Sequence, residues 1–140
     1  MIRLFRTSAA LGLAGALAAT LGSAAQAEET RPTRGEERLA RMLEGRVAGE
    51  ATSCIRSFPT MQSTVIDGTA IVFRQGNTLW VNIPRDARYL DNSDALVTRT
   101  FGNRLCRTDI VHTYDTTVGM ETGTIFLADF VPYRRPRTAG

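Results

Sequence analysis

The sequence predicts a mainly β fold, a small antiparallel barrel or sandwich of about six strands with one N-terminal amphipathic helix. The densest β-forming stretch of the chain is Thr64–Ile83. Within it, Asp67-Gly68 and Gly76-Asn77 accept the backbone angles of tight hairpin turns, which predicts a three-stranded meander. Apolar residues alternate along Thr78–Ile83, a pattern typical of a strand with one face in a core.

The N-terminus has the organisation of a secretory signal peptide. Arg3 and Arg6 precede an uncharged run rich in Ala, Leu and Gly, which ends in the small residues of Ala25-Gln26-Ala27. We therefore predict a signal peptide over residues 1–27 and a periplasmic or secreted protein with no membrane span after cleavage. An uncleaved membrane anchor is the alternative, although the apolar run is short for a spanning helix.

Composition divides the remaining chain into three segments. Residues 28–35 are polar and contain Pro32, so we predict a disordered spacer. Residues 36–133 carry the apolar patterns of a helix plus β domain. Residues 134–140 are basic and interrupted by proline, which predicts a flexible tail that either solubilises the chain or contacts acidic surfaces.

One helix is predicted at the start of the domain, over about residues 35–45. Leu39, Met42 and Leu43 recur at helical spacing, Thr33 is a candidate N-cap and Gly45 is placed to end the helix. A helix with so few apolar positions is not stable by itself, so we expect it to dock on the β-sheet. We expect the ring of Trp80 to lie under this helix.

The predicted strands outside the meander are spread along the whole domain. A turn at Gly102-Asn103 separates two of them, and another turn region is predicted over Gly119–Thr124. The strands are Thr52–Phe58, Leu96–Phe101, Leu105–Asp115 and Ile125–Tyr133.

Cys54 and Cys106 are the two cysteines of a chain predicted to leave the cytoplasm, which favours a structural disulfide between them. A redox-active pair is the weaker alternative, because no Cys-x-x-Cys spacing is present.

All 17 basic residues are arginine, against 14 acidic residues. Because two arginines belong to the predicted leader, 15 remain in the mature chain, which then carries a net charge of +1. This near balance argues against a nucleic-acid partner. We attribute the exclusive use of arginine to genomic base composition; the alternative is an arginine surface selected to bind phosphate or carboxylate groups.

His112 is the single histidine, and Asp109 and Asp115 are the nearest carboxylates in sequence. These three residues are the first to test for catalysis, although strand alternation directs the imidazole away from both carboxylates. No nucleophile-elbow motif accompanies them. Transition-metal sites usually use several histidine or cysteine ligands. This chain offers one histidine and two cysteines predicted to be paired, so we expect no such site.

The loop Pro84–Ala95 holds several oxygen ligands without the spacing of a calcium loop, so we expect neither a metal nor a cofactor. Those ligands are Asp86, Asp91, Asn92 and Asp94.

The chain contains five short motifs: Leu39-x-x-Met42-x-x-Gly45-Arg46, Cys54-Ile55, Val65-Ile66-Asp67-x-x-x-Ile71-x-Phe73-Arg74, Leu105-Cys106-Arg107-x-Asp109-Ile110 and Asp129-Phe130-Val131-Pro132-Tyr133. In their types and order these motifs resemble a family of short secreted alphaproteobacterial proteins with no established function. Many members of that family carry two further cysteines; the corresponding regions of this chain, Asp86–Leu90 and Gly123–Leu127, contain none. The resemblance thus implies that Cys54 and Cys106 pair with each other, and it implies no catalytic residue.

The predicted function is a non-catalytic binding or structural module of the Gram-negative periplasm or exterior, whose partner is another protein, an envelope component or a small ligand. The alternative is a small hydrolase or inhibitor-like protein with a site near His112. Exposed Trp80 and Tyr133 would favour binding, whereas a pocket that places His112 beside a hydroxyl and a carboxylate would favour the enzyme.

Overall fold

The computed structural model describes residues 31–57, 61–100 and 102–137. The predicted signal peptide and the first residues of the predicted spacer lie outside this range. The elements are α1 (Arg34–Leu43), β1 (Val47–Ala48), β2 (Cys54–Arg56), β3 (Gln62–Ile66), β4 (Ala70–Gln75), β5 (Thr78–Asn82), a 3-10 turn (Ala87–Tyr89), β6 (Asp94–Thr98), β7 (Arg104–Cys106), β8 (Ile110–Asp115), β9 (Met120–Phe126) and β10 (Phe130–Arg134).

The strands form three antiparallel sheets, which confirms the predicted fold class. A five-stranded sheet has the order β1-β10-β5-β4-β3, a two-stranded ribbon pairs β2 with β7, and a three-stranded sheet has the order β6-β8-β9. Within the described residues these sheets form a sandwich-like arrangement and no closed barrel.

Each face of the five-stranded sheet covers its own apolar core. On one face, α1 packs through its apolar side chains against a cluster of sheet residues: Ile66, Ala70, Val72, Leu79 and Val81. The opposite face meets the ribbon and the three-stranded sheet in a larger core: Ile55, Val65, Ile71, Phe73, Leu90, Leu105, Val111, Ile125, Leu127 and Phe130. The sheet is therefore the central layer of the molecule.

The helix begins and ends on the residues that the sequence marks. Thr33 and Glu36 form a reciprocal capping box, and Gly45 follows the C-cap with a φ of 69°. The helix starts at Arg34, inside the range predicted as spacer. Gly35 lies so close to the β3–β4 turn that an added Cβ would stand 2.6 Å from the Asp67 carbonyl oxygen. Glycine therefore permits the helix to dock here.

Trp80 does not lie under the helix, so that prediction is wrong. In β5 the residues facing α1 are Leu79 and Val81, and strand alternation places Trp80 on the opposite face, against the larger core. Tyr133, by contrast, packs half-buried on the helix side.

Two predicted strands are each divided in the structure, which raises the number of short strands. Asp109 accepts a hydrogen bond from the backbone N–H of Cys106 at 2.8 Å and forms a turn that separates β7 from β8. The predicted strand Ile125–Tyr133 contains the end of β9 and most of β10. Gly119–Thr124 is a turn only at its start, because β9 begins at Met120.

The buried Asn82 joins the sheet to the connection between β9 and β10. Its amide nitrogen donates to the Ala128 carbonyl at 2.6 Å, and its amide oxygen accepts from the Ala128 N–H at 3.1 Å. Both ends of this fully buried side chain are therefore paired, as burial of an amide requires.

Cys54 and Cys106 form the predicted disulfide and are direct partners in the β2–β7 ladder. The bond holds the two-stranded ribbon, which is too small to be stable alone, in one register over the larger core. A disulfide of this kind fits a protein that works outside the cytoplasm. In the described part of the chain, no helix has the length and apolar character needed to cross a membrane.

The double substitution Cys54→Ala/Cys106→Ala should lower the free energy of unfolding by about 2–4 kcal/mol, because the unfolded chain regains the freedom of a long loop. Urea unfolding measured with and without reductant checks this. Reductant should destabilise the wild type to a similar extent and leave the double variant unchanged. Equal stability of the oxidised and reduced wild type would contradict a structural role for the bond.

Candidate functional site

The His112 site is a hydrogen-bonded cluster on the outer face of the three-stranded sheet. The Nδ1 of His112 donates to Glu121 Oε1 at 2.8 Å, and the hydroxyl of Tyr114 donates to Glu121 Oε2 at 3.3 Å. The hydrogen bond from His112 lowers the pKa of the Glu121 carboxyl, and the charge of the imidazole and the Tyr114 hydroxyl act in the same direction. The Glu121 carboxylate thus bridges His112 and Tyr114, two residues on the same face of β8.

This cluster lies on an open surface rather than in a cavity. The side chains of His112 and Glu121 are 37% and 46% exposed, and His112 is absent from the lining of the larger cavities in the described chain. Val97, which is opposite His112 in the ladder, and Ile110 beside it are exposed apolar residues. An open sheet face offers no enclosure to hold a substrate against the imidazole.

Asp109 and Asp115 are not brought to His112; each forms a turn. Asp109 caps the Cys106 N–H, as described above, and Asp115 accepts hydrogen bonds from the backbone N–H groups of Thr117 and Val118 at 2.6 and 3.2 Å. These bonds, first that from Thr117, lower the pKa of Asp115. The acceptor roles of both carboxylates are therefore local and structural.

Sequence reasoning missed Glu121, the carboxylate that pairs with the imidazole. Glu121 belongs to β9, whose first half was predicted to be a turn, and a register shift beside Tyr114 brings it within reach. A signal was present in the β-branched residues Thr122, Thr124 and Ile125, but Gly119 and Gly123 obscured it.

The acidic residues of the loop Pro84–Ala95 stabilise the loop itself. Asp67 in the β3–β4 turn accepts from the backbone and side-chain nitrogens of Asn92 at 2.7 and 2.8 Å. Asp91 accepts from the backbone N–H and the hydroxyl of Ser93, which lower its pKa. Asp94 accepts from the Thr122 hydroxyl at 2.8 Å. Among the described residues, no cluster of histidine, cysteine and acidic side chains is arranged to hold a metal ion.

Arginines gather at the other end of the five-stranded sheet, around the β4–β5 hairpin. One group, the helix-side arginines, surrounds a surface groove on the face that carries α1. Arg46 donates to the carbonyl of Asn77 in the hairpin turn at 2.7 Å, and burial together with the charges of Arg135 and Arg74 lowers its pKa. The helix-side arginines are Arg41, Arg46, Arg74 and Arg135.

A second group, the ribbon-side arginines, lies on the opposite face of the same end: Arg56, Arg104 and Arg134. Arg56 and Arg104 are exposed and directly opposite each other in the β2–β7 ladder. Arg134 donates to the Thr78 hydroxyl at 3.2 Å, and its guanidinium lies 5.8 Å from the centre of the Trp80 ring. Arg134 is the last residue of β10 and Arg135 follows it directly, so two consecutive residues supply one arginine to each group.

Trp80 forms part of the wall of a groove of about 630 Å³ beside the ribbon-side arginines. Its indole N–H donates to the Gln75 side-chain oxygen at 3.0 Å, and the Gln75 amide nitrogen donates to the carbonyl of Arg56. This chain of bonds connects the sheet to the ribbon and fixes the orientation of the indole. The groove is also lined by Asn103 and by Cys54 of the disulfide.

The two groups of arginines, together called the arginine end, have no carboxylate within ion-pair distance among the residues that the structure describes. In the described residues the ion pairs are Arg107–Asp129 at 3.4 Å and His112–Glu121, and neither involves the arginine end. Glu44 is the acidic residue that lines the helix-side groove. Asp67 and the carboxylates of the 84–95 loop lie at the opposite end of the sheet, where Arg34 and Arg38 line a groove beside Asp67.

Comparisons with protein-family models, with curated proteins and with solved structures find no match for this chain. The resemblance to a secreted alphaproteobacterial family therefore stays a prediction. Any functional assignment depends on the chemistry of the two sites described above.

Glu121→Gln should lower the free energy of unfolding near neutral pH. It should also make that free energy fall less steeply as the pH is lowered into the acid range. The folded state lowers the pKa of Glu121, so its contribution is present above the unfolded-state pKa and is lost as pH falls through the folded-state pKa. Urea unfolding at about pH 6 and about pH 3 should show a difference between variant and wild type only at the higher pH. Glu50→Gln, an exposed position outside the described ion pairs, is the control. A difference of equal size at both pH values would contradict this role.

Proposed function

We propose that the protein is a non-catalytic binding module of the periplasm or cell exterior, and that its arginine end holds an acidic polysaccharide of the cell envelope. The observation that supports the proposal most directly is the convergence of seven arginines on one end of the sheet, none of them ion-paired with a carboxylate in the described part of the chain. Under this proposal, the exclusive use of arginine reflects a surface that binds phosphate or carboxylate groups rather than genomic base composition.

Repulsion among the charges of the arginine end destabilises the isolated protein. Like charges directly opposite in a ladder, as at Arg56 and Arg104, destabilise the pairing, and the charges of Arg74 and Arg135 act on the guanidinium of Arg46. A polyanion would relieve this repulsion at several points at once. Guanidinium groups also bind carboxylate and phosphate oxygens through paired hydrogen bonds, which favours an oxyanion as the partner.

A polysaccharide fits this surface better than a lipid bilayer does. Membrane-surface proteins combine basic residues with exposed apolar side chains that enter the bilayer. Here Ile110, Val118, Met120 and Phe126 are exposed on or beside the three-stranded sheet, whereas the arginine end carries one exposed aliphatic side chain, Val47, and the planar ring of Trp80 in a groove. The predicted leader and the disulfide support a location where envelope glycans are the available polyanions.

The observation that favours the hydrolase alternative is the hydrogen bond between His112 and Glu121. A general base oriented by a carboxylate is a recurrent catalytic pair. This pair lies on an exposed sheet face and lines none of the larger cavities of the described chain, although Thr124, the ladder partner of His112, lines a groove of about 370 Å³. The arginine end, which adjoins two grooves, therefore supports binding more strongly than His112 supports catalysis.

Retention on immobilised polygalacturonate tests the proposal. The purified protein should bind the polymer and be released by salt, since screening weakens interactions between exposed charges. Arg74→Gln/Arg135→Gln should weaken binding by about tenfold, because each exposed guanidinium contributes a charge-assisted hydrogen bond. Arg85→Gln/Arg88→Gln removes the same charge from the opposite end and should leave binding unchanged.

Three outcomes would overturn the proposal. These are absence of salt-sensitive retention, equal weakening by both double variants, or tighter binding to vesicles of anionic phospholipid than to the polymer. Neutral dextran is the control for attraction to the polysaccharide backbone itself. Unfolding curves of all three proteins establish that the variants are folded.

A further inference from the structure

We infer that the groove between the β2–β7 ribbon and Trp80 is a subsite for one sugar residue that bears a carboxylate or a phosphate. The inference rests on the proposed function and assigns its most specific contacts to one place. The groove is open to solvent on one side and has a volume of about 630 Å³, within the range of sites that hold small ligands. Its polar walls and single large aromatic surface set the chemistry of the ligand.

The anionic group of the ligand would bind between Arg56 and Arg104. The two residues are register partners at the end of the ribbon, both are exposed, and both line the groove. Two guanidinium groups on neighbouring strands can hold the oxygens of one anion from both sides. No acidic residue lines this groove, so no internal carboxylate competes for that position among the described residues.

The ring of the sugar would lie on the face of Trp80. The indole is partly buried against the core, its N–H is already bonded to Gln75 and the Arg134 guanidinium lies 5.8 Å from its ring centre, so the sugar would contact the part of the ring that stays exposed beside Arg134. A pyranose presents C–H groups on one face and hydroxyls at its edge. Asn103, which also lines the groove, supplies an amide that can bond to those hydroxyls.

The architecture holds these groups in place before any ligand binds. The disulfide lies two residues from the arginine pair on both strands, and the bond from Gln75 to the Arg56 carbonyl connects the ribbon to the sheet that carries Trp80. Less conformational freedom is then lost on binding. The helix-side arginines, on the other face, would contact neighbouring units of the polymer.

Intrinsic fluorescence tests the inference directly, because Trp80 is the single tryptophan of the chain. Titration with galacturonate trimer or with glucose 6-phosphate should change the emission in a saturable manner, and neutral maltotriose should not. The comparison of the two acidic ligands distinguishes a carboxylate site from a phosphate site. Arg56→Gln should weaken binding about tenfold, and Arg85→Gln should leave it unchanged.

Arg104→Lys separates a built subsite from diffuse attraction. This variant keeps the charge and removes the guanidinium fork, so the subsite predicts a clear loss of affinity, whereas diffuse attraction predicts none. Absence of saturable fluorescence change with either acidic ligand, or unaltered affinity in Arg104→Lys, would overturn the inference. If polygalacturonate still retained the protein, the proposed function would stand and the subsite alone would be contradicted. If retention on the polymer were also absent, both the subsite and the proposed function would be contradicted.

Discussion

The register of the β2–β7 ribbon, fixed by the Cys54–Cys106 disulfide, is the constraint on which the rest of the structure depends. Only three residues from each strand form the ribbon, and Arg56 faces Arg104 within it. Such a short pair of strands with a repulsive partner would not persist by itself. The covalent bond keeps it over the larger core, where Ile55 and Leu105 are buried. The wall of the Trp80 groove therefore exists because of the disulfide.

The arrangement also explains how a nearly neutral chain presents a strongly basic surface. Arginines from the helix, the ribbon, β4 and the end of β10 reach one end of the central sheet without ion-pair partners in the described chain, while the other end combines arginines with turn-forming aspartates. The aspartates satisfy backbone N–H groups and stabilise local structure. The arginine end does the opposite, since its charges repel one another. Locally unfavourable features that a fold retains are expected where a protein binds its partner.

Local chemistry was predictable from the sequence, and long-range register was not. The capping residue Thr33, the positive φ of Gly45 and the cysteine pair depend on neighbouring residues or on compartment, and all were confirmed. Glu121 could not be assigned to His112, because glycines disguised β9 as a turn. Nor could the arginine end be predicted, because its members are scattered over the sequence and meet only when six separate segments pack together.

The most direct test is the stability of Arg104→Glu with and without galacturonate trimer. This change places opposite charges across the ribbon, so the account predicts a free energy of unfolding higher than wild type by about 0.2–1 kcal/mol. It also predicts that the trimer, which should stabilise the wild type through binding, no longer stabilises the variant. A variant that is less stable than wild type yet remains stabilised by the trimer would contradict the account.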